Sequence, residues 1–247
     1  MTAAENLLIA SLPRKVRTDL LAVCELVPLA SDQLLCQQGA RLQAVYFPTD
    51  GAISLLTCLP GEADVEVAMV GREGMLGAHC ALGIREAPLR AVVSCSGLAW
   101  RLSSAAFRMA LKRNAAVERC CWRYLHLAMC QLATSVACQR LHTIGPRLAR
   151  LLLMLCDRTG TGSLHVTHES LALLLGVRRV GITMAAGDLH RSGLITYHRG
   201  ELSVLDRPGL EAAACSCYAA NLLLQAHWLQ ATAGIKPWHR RPLRRSQ

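Results

Sequence analysis

Long apolar runs are missing from this 247-residue sequence. None approaches the ~18 residues that a membrane-spanning helix needs. A secretory signal also lacks support, because Arg14, Lys15 and Arg17 follow the apolar stretch of residues 7–12 instead of preceding it. We therefore expect a cytoplasmic protein with no membrane partner.

The chain has twelve cysteines but lacks the cysteine spacing of a common metal site. Cys120-Cys121 and Cys215-Ser216-Cys217 are the close pairs, and neither has the C-x-x-C spacing, with a second pair or histidines, that predicts zinc. The sequence thus predicts no metal site. Redox control through these pairs stays an alternative to inert thiols. Six other cysteines have apolar neighbours and are predicted to be buried free thiols: Cys36, Cys58, Cys95, Cys130, Cys138 and Cys156.

A catalytic constellation is also missing. A metal-dependent enzyme built on the β-rich half would need several His and Glu ligands on facing strands, and His79 is the single histidine there. A haem ligated by His79 or Cys80 has no further support. We expect no enzyme and no catalytic residues.

The net charge of +10 is unevenly distributed. Half of it comes from the last twelve residues, which carry Lys236, Arg240, Arg241, Arg244 and Arg245 without an acid. This tail is predicted to be disordered. A basic balance favours nucleic-acid binding through phosphate neutralisation, but the mildly basic body of the chain cannot establish it alone.

Short β-type runs separated by turn residues occupy about residues 28–102. The runs are residues 33–37, 45–47, 53–58, 65–70, 89–94 and 98–102. Regular spacing of this kind predicts an antiparallel jelly roll. A helical segment over residues 6–26 is expected to pack against one end.

A helical pattern follows, with a short helix to Lys112 and a long helix over residues 115–141. Five apolar residues recur in the long helix at spacings of 3, 4, 3 and 4: Trp122, Leu125, Met129, Leu132 and Val136. This heptad seam predicts a homodimer interface. The alternative is one helix face packed on its own domain.

Residues 164–205 have the pattern of a winged helix-turn-helix. Gly145-Pro146 breaks the chain before a helix over residues 147–157. Thr167 is a good N-cap for a helix that begins at His168. Ala172 is small where two helices would cross, and Gly176 permits the turn between them. The core positions around the turn are all apolar: Leu171, Leu175, Val177, Ile182 and Ala185.

The second helix, from about Arg178, would place its N-terminal half in the major groove of double-stranded DNA. A hairpin with its turn at residues 198–201 would form the wing and bring Arg199 near phosphate. The predicted DNA-binding residues are Arg178, Arg179, Thr183, Thr167, His168 and Arg199.

These features, in this order, resemble the CRP/FNR family of bacterial transcription regulators over about residues 5–218. The likeness is to a subgroup of the family whose C-terminal domain carries similar stretches, here residues 138–142 (CQRLH), 147–150 (RLAR), 157–158 (DR), 175–179 (LGVRR), 197–200 (YHRG) and 215–218 (CSCY). In the family, the residue that matches Arg179 reads guanine. Val180 and Met184 stand where polar or charged groups are usual, which puts the family's usual operator in doubt.

The resemblance implies an α+β fold with a cyclic-nucleotide-binding-like jelly roll, a dimerisation helix and a winged helix-turn-helix. We divide the chain into a sensor domain (residues 1–113), a dimerisation helix (114–142), a DNA-binding domain (143–218) and a C-terminal extension (219–247). RNA polymerase would be a further partner of an activator. A ligand-binding module that acts on a protein partner is the alternative function.

Residues 70–77 align with the phosphate-binding segment of the family's effector pocket. The candidate pocket residues are Gly71, Glu73, Gly74, Met75, Leu76, Gly77, Arg85 and Arg90. Met75 replaces the usual Glu, and Ala87-Pro88 fall where an Arg-Ser pair would neutralise the cyclic phosphate. Cyclic AMP is therefore not expected, and Met75 and Leu76 have an alternative role as core. Cys24 and Cys36 are too sparse for an iron–sulfur cluster, so the effector stays unknown.

Overall fold

In the computed structural model, which describes residues 5–62, 64–198 and 200–232, the first half is built on two antiparallel sheets. Their strands are β1 (Glu25–Leu29), β2 (Leu34–Cys36), β3 (Ala44–Pro48), β4 (Ala52–Thr57), β5 (Val65–Val70), β6 (Arg90–Cys95) and β7 (Gly97–Ser103). One sheet has the order β1-β7-β3 and the other the order β2-β6-β4-β5. This architecture confirms the predicted α+β fold with an N-terminal jelly roll.

A dry core between the sheets holds the jelly roll together. Its side chains are apolar residues from strands of both sheets and the loop after β5: Leu29, Ile53, Val70, Leu76, Ala91, Val93 and Ala99. Ile53 of β4 lies opposite Val93 of β6, and both are fully buried. Alternation along each strand directs such residues inward, which is the pattern expected of packed antiparallel sheets.

The predicted N-terminal helical segment is correct only in part. Two short helices, α1 (Leu7–Ala10) and α2 (Arg14–Leu21), precede the sheet, but the segment does not continue to residue 26. Glu25 and Leu26 belong to β1, where they pair with Arg101 and Trp100 of β7. Pro28 is accommodated because β1 lies at the edge of its sheet, where a missing N–H is tolerated.

Two capped helices follow the jelly roll. Ser103 caps α3 (Ser104–Arg113) by accepting from the Ala106 N–H at 3.2 Å. Asn114 caps α4 (Ala115–Leu141), whose bounds agree with the predicted long helix. One face of α4 is buried against the jelly roll and α1, with Val117, Cys121 and Leu127 in the shared core.

The second half contains five helices and a small sheet among the described residues. The elements are α5 (Ile144–Thr159), β8 (Ser163–His165), α6 (His168–Leu175), α7 (Arg179–Arg191), β9 (Ile195–His198), β10 (Glu201–Val204), α8 (Arg207–Ala213) and α9 (Cys217–Thr232). The sheet has the order β8-β10-β9. The helix predicted to begin at residue 147, after a break at Pro146, begins earlier, at Ile144. Pro146 lies in the first turn of α5, where its missing N–H leaves no intrahelical bond unmade.

Helix α9 was not predicted. It packs along α4, and Trp228 is buried with its ring edge-on to Tyr124 at a centroid distance of 6.5 Å. Part of the C-terminal extension is therefore a helix that packs on α4. The basic residues 236–247 lie outside the described residues.

The two halves are in close contact. Ala52, Met69 and Cys95 of the jelly roll are buried in the same core as Leu148 and Leu152 of α5. Among the described residues, no single helix is long and apolar enough to span a membrane. Helices α6 and α7, bent by 108°, satisfy that length and composition test only as a pair.

The cysteines predicted to be buried divide evenly. Cys95, Cys138 and Cys156 are buried, whereas Cys36, Cys58 and Cys130 are only half-buried. The prediction was wrong for the latter three because apolar sequence neighbours do not determine whether a side chain points inward.

Candidate nucleic-acid interface

Helices α6 and α7 are joined by a turn that depends on local sequence. The Thr167 side chain accepts from the Ser170 N–H, and the Ser170 hydroxyl accepts from the Thr167 N–H at 2.9 Å. This reciprocal arrangement fixes the start of α6. Gly176 ends the helix in the left-handed conformation, with φ of 62°, which glycine adopts at little cost.

The inner faces of both helices are packed. The core of the second half buries four of the predicted positions, Leu171, Leu175, Ile182 and Ala185. Ala172, where the two helices cross, is 7% exposed. Val177 packs against this core while remaining partly exposed. Because one face of α7 is committed to the core, its opposite face is presented outward.

The outward face of α7 combines cationic, polar and apolar groups. Arg178, the N-cap residue, and Arg179, the first helical residue, are exposed, as is Thr183. Val180 and Met184 beside them are 63% and 67% exposed. Large apolar side chains that are exposed next to hydrogen-bond donors are typical of a surface that binds another molecule.

His168 is placed differently from the exposed residues of α7. Its ring stacks on Tyr197 at a centroid distance of 4.6 Å, and its Nδ1 lies 3.1 Å from the Thr183 hydroxyl. Burial, with a smaller effect of the nearby Arg179 charge, lowers the pKa of His168 below its ordinary value. The half-buried, neutral imidazole therefore connects α6, α7 and β9 and orients Thr183.

A hairpin follows α7. Strands β9 and β10 pair antiparallel, with Glu201 opposite His198, and Gly200 in their turn has φ of 88°. His165 of β8 bonds to Glu201 through Nδ1 and Oε1 at 2.8 Å. The predicted contact residue Arg199 is in this turn and lies outside the described residues.

The arrangement of helix, turn, helix and hairpin is that of a known DNA-binding domain. Residues 146–213 match the family model of the Crp-like helix-turn-helix domain. The chain is a DNA-binding transcription regulator whose helix-turn-helix domain is Crp-like.

Comparison with whole proteins agrees with this assignment. The regulator is 25% identical over 177 residues to the global nitrogen regulator of Nostoc sp., covering 67% of this chain and 78% of that protein. Its fold is similar to that of a CRP-family transcriptional regulator from Thermus thermophilus, with a TM-score of 0.61 and 22% identity. The similarity covers 76% of this chain and 96% of the Thermus protein. The fold is also similar to that of FixK2 from Bradyrhizobium japonicum, with a TM-score of 0.63 and 14% identity. This similarity covers 78% of this chain and 98% of FixK2.

Three residues of the predicted dimer seam are exposed, and the other two are half-buried. Trp122, Met129 and Val136, seven residues apart, are 47%, 61% and 64% exposed. Leu125 and Leu132 are half-buried, and Leu125 packs partly against the core of the first half. The exposed stripe is therefore a row of three large apolar side chains along α4.

The predicted effector segment is filled by the regulator's own side chains. Met75 and Leu76 are buried in the two cores of the jelly-roll half, so the core interpretation fits the structure. A Cβ added to Gly71 would lie 2.3 Å from Cγ of Arg158, and one added to Gly74 would lie 2.2 Å from Oη of Tyr124. Because Gly71 and Gly74 lack side chains, Arg158 and Tyr124 can pack against them. These two side chains occupy the places where the family resemblance implies a ligand phosphate.

The remaining candidate effector residues have other roles. Glu73 forms a buried ion pair with Arg158, and Gly77 is buried with φ of 97°. Arg90 pairs with Asp64, and Arg85 is exposed. Neither arginine is held at the glycine-rich segment by a hydrogen bond or ion pair among the described residues.

A cleft of about 1120 Å³ separates the helix-turn-helix from the jelly roll. Arg178 and Arg179 line one side, and Asp32, Glu62 and Asp64 line the other. Arg178 and Arg179, at the start of α7, thus lie opposite three acidic side chains of the first half.

Sequence reasoning missed one group of side chains. Cys138, His142, Cys215 and Cys217 lie together, although the cysteine pairs alone did not predict a site. The available signal was the spacing of Cys138 and His142, which places both on one face of a helix, combined with a second cysteine pair far along the chain.

Proposed function

We propose that the regulator binds double-stranded DNA as a homodimer and reads a two-fold-symmetric operator with α7 of each subunit. The observation that carries this proposal is the outward face of α7, where Arg178, Arg179 and Thr183 are exposed while Ile182 and Ala185 are buried. A helix with this division of surfaces suits the major groove, which is ~12 Å wide.

Arg179 is proposed to read guanine. A guanidinium can donate two hydrogen bonds to O6 and N7, which is worth ~1–3 kcal/mol of discrimination. Thr183, held by His168, would contact phosphate or a base edge, and Arg178, Thr167 and Arg199 are proposed phosphate contacts. Val180 and Met184 are suited to thymine methyl groups, so the operator should contain A·T pairs near the guanine.

Dimerisation is proposed to use the exposed stripe of α4. Trp122, Met129 and Val136 occupy equivalent heptad positions, and a second copy of the helix would remove them from water. In such a pair the two copies of α7 would lie about one DNA turn apart, ~34 Å. A palindromic operator follows from this geometry.

Regulation is proposed to act through the contact between the halves. We assign residues 1–113 as the sensor, 114–142 as the dimerisation helix and 143–218 as the DNA-binding domain. Opening of the cleft beside Arg178 and Arg179 would give a duplex fuller access to both side chains. A signal at the jelly roll that rotates the DNA-binding domain about residues 142–143 would then control binding.

We further propose that the regulator acts in the cytoplasm, has no catalytic activity, and contacts RNA polymerase where it activates transcription. The exposed arginines of α7 favour DNA over a protein partner as its target. Three acidic side chains of the first half, Asp32, Glu62 and Asp64, line the same cleft, so DNA phosphates would have to compete with them for those arginines.

Footprinting of the purified protein on genomic fragments tests this function. The expected result is protection of a pseudo-palindrome with half-sites about ten base pairs apart. Affinity should fall steeply as salt rises, because phosphate contacts release counterions. Equal affinity for an isolated half-site and for the whole operator would refute the dimer, and protection without sequence preference would refute base reading by α7.

A further inference from the structure

We propose that Cys138, His142, Cys215 and Cys217 bind one zinc ion. Cys138 and His142 lie four residues apart at the C-terminal end of α4, with His142 as the C-cap residue. Cys215 and Cys217 flank the start of α9. The fold thus brings two ligand pairs together from segments that are 77 residues apart at Cys138 and Cys215.

The ligand atoms are close enough together to share one tetrahedrally coordinated ion. The Sγ atoms of Cys138 and Cys215 are 3.5 Å apart, and Sγ of Cys217 lies 3.7 Å from Nδ1 of His142. All four atoms lie within 4.8 Å of one another. Zinc–sulfur bonds of ~2.3 Å in a tetrahedron put sulfur atoms ~3.8 Å apart, close to these separations.

The chemistry of the donors selects the metal. Three sulfurs and one imidazole favour zinc over magnesium or calcium, which prefer oxygen ligands. The three cysteines are buried and His142 is half-buried, as in a closed structural site without an open position for substrate. Three thiolates and a neutral imidazole around a divalent ion carry a charge of −1, which needs a cation nearby.

Arg150 supplies that cation. It is 9% exposed, and its guanidinium acts electrostatically on both Cys138 and Cys217. Its Nε has no hydrogen-bond partner among the described residues. An anionic metal–thiolate centre would compensate this buried guanidinium, which also acts electrostatically on the Glu66 carboxyl.

A disulfide between Cys138 and Cys215 is the competing arrangement. It would use two of the four groups and would not explain why His142 and Cys217 lie beside them. A metal ion accounts for all four.

The position of the site gives the metal a role that rests on the proposed DNA-binding function. The site joins the end of α4 to the segment between α8 and α9, next to the break at His142–Thr143. The Cys215 N–H also donates to the Pro146 carbonyl at 3.2 Å, which ties this segment to the first turn of α5. Bound zinc would restrict the rotation about residues 142–143 that is proposed above to control DNA binding.

Metal analysis of the full-length protein tests the site without reference to DNA. We expect one zinc per chain by mass spectrometry after purification with zinc and removal of loose metal. Cobalt substitution should give the intense visible bands of tetrahedral thiolate coordination. A wild-type protein that retains no zinc and gives no cobalt bands overturns the proposal.

Variants locate the ion. Cys217→Ser and His142→Gln should lose the stoichiometric zinc and weaken the cobalt bands. Cys130→Ser is the matched control, because Cys130 and His126 form another Cys–His pair on α4, at 3.7 Å, without a third ligand among the described residues. Circular dichroism verifies folding of each variant, and zinc retained by a folded Cys217→Ser, His142→Gln double variant overturns the proposal.

Two further arms separate the alternatives. All twelve cysteines should react with a thiol reagent after denaturation without reductant, and a Cys138–Cys215 cross-link in the peptide map would overturn the metal site in favour of a disulfide. Arg179→Ala should retain zinc even if it no longer reads its operator. Failure of the DNA-binding proposal is therefore distinguishable from failure of the metal proposal.

Discussion

Arg158 of α5 and Glu73 of the loop after β5 form a buried ion pair between the two halves of the regulator. Nη2 lies 2.6 Å from Oε1, and the two side chains are 4% and 8% exposed. Oε1 also accepts from the Gly71 N–H at 3.3 Å. Because both charges have lost their water, each depends on the other for compensation.

Removing one partner of this pair should be costly. Arg158→Met leaves the Glu73 carboxylate buried and uncompensated, and we expect the free energy of unfolding to fall by about 3–5 kcal/mol. Denaturant titration followed by circular dichroism measures the change. Adding Glu73→Gln to Arg158→Met should recover part of the loss.

The matched control is Arg101→Ala, which removes an exposed ion pair with Glu25 at 3.5 Å. Exposed pairs are worth about 0–1 kcal/mol, so this change should be nearly neutral. An equal effect of the two substitutions would contradict the importance of the buried pair.

Arg179→Ala should reduce sequence discrimination more than overall affinity. Loss of a bidentate guanine contact is expected to cost about 1–3 kcal/mol of preference at one base pair in each half-site. Gel shifts on operators substituted at single positions measure this preference.

Arg191→Ala is the control on the same helix, because Arg191 pairs with Asp188 at the opposite end of α7. It should leave base preference unchanged. If Arg179→Ala retained the full preference at every position, Arg179 would have no reading role.

Met129→Glu should convert the regulator to a monomer. Met129 is 61% exposed at the centre of the α4 stripe, and two glutamates there would face each other across the seam. Analytical ultracentrifugation measures the mass, and operator binding should weaken in parallel.

Val23→Glu replaces another apolar residue, 57% exposed on the jelly-roll half, and should leave the oligomeric state unchanged. A dimer that survives Met129→Glu would place the subunit interface elsewhere.

Stability should fall as pH rises through the titration of Glu66. Burial raises the pKa of Glu66 from its ordinary value of 4.5 to about 7, although Ser54, Arg158 and Arg150 oppose the shift. The residue is half-buried overall, but its Oε2 is enclosed and has no hydrogen-bond partner among the described residues. The folded chain therefore holds this proton more tightly than the unfolded chain does.

Since the folded state binds more protons between pH 4.5 and about 7, this carboxyl group lowers stability as pH rises across that window. Thermal unfolding of the wild type and Glu66→Gln at about pH 5 and pH 8 measures the effect, which should be smaller in the variant. Glu62→Gln, an exposed control, should retain the wild-type dependence. Parallel profiles for Glu66→Gln and wild type would contradict this titration.

The helix-turn-helix was predictable because its determinants are local. The Thr167 cap, the Gly176 turn and the apolar positions of α6 and α7 lie within about two dozen residues and specify their geometry through hydrogen bonds and periodicity. The start of α4 follows from its Asn114 cap in the same way. His168 shows the limit, because its stacking on Tyr197 depends on the wing folding back against α6.

Sequence alone determined the order of jelly roll, long helix and helix-turn-helix, the inner and outer faces of α7 and the family resemblance, because propensity, capping and periodicity act between near neighbours. The tertiary structure decided the Glu73–Arg158 pair, the packing of α9 on α4 and the grouping of Cys138, His142, Cys215 and Cys217. These contacts join residues far apart in the chain, and they arise from how whole elements dock and bury their surfaces. No local pattern of residues encodes that docking.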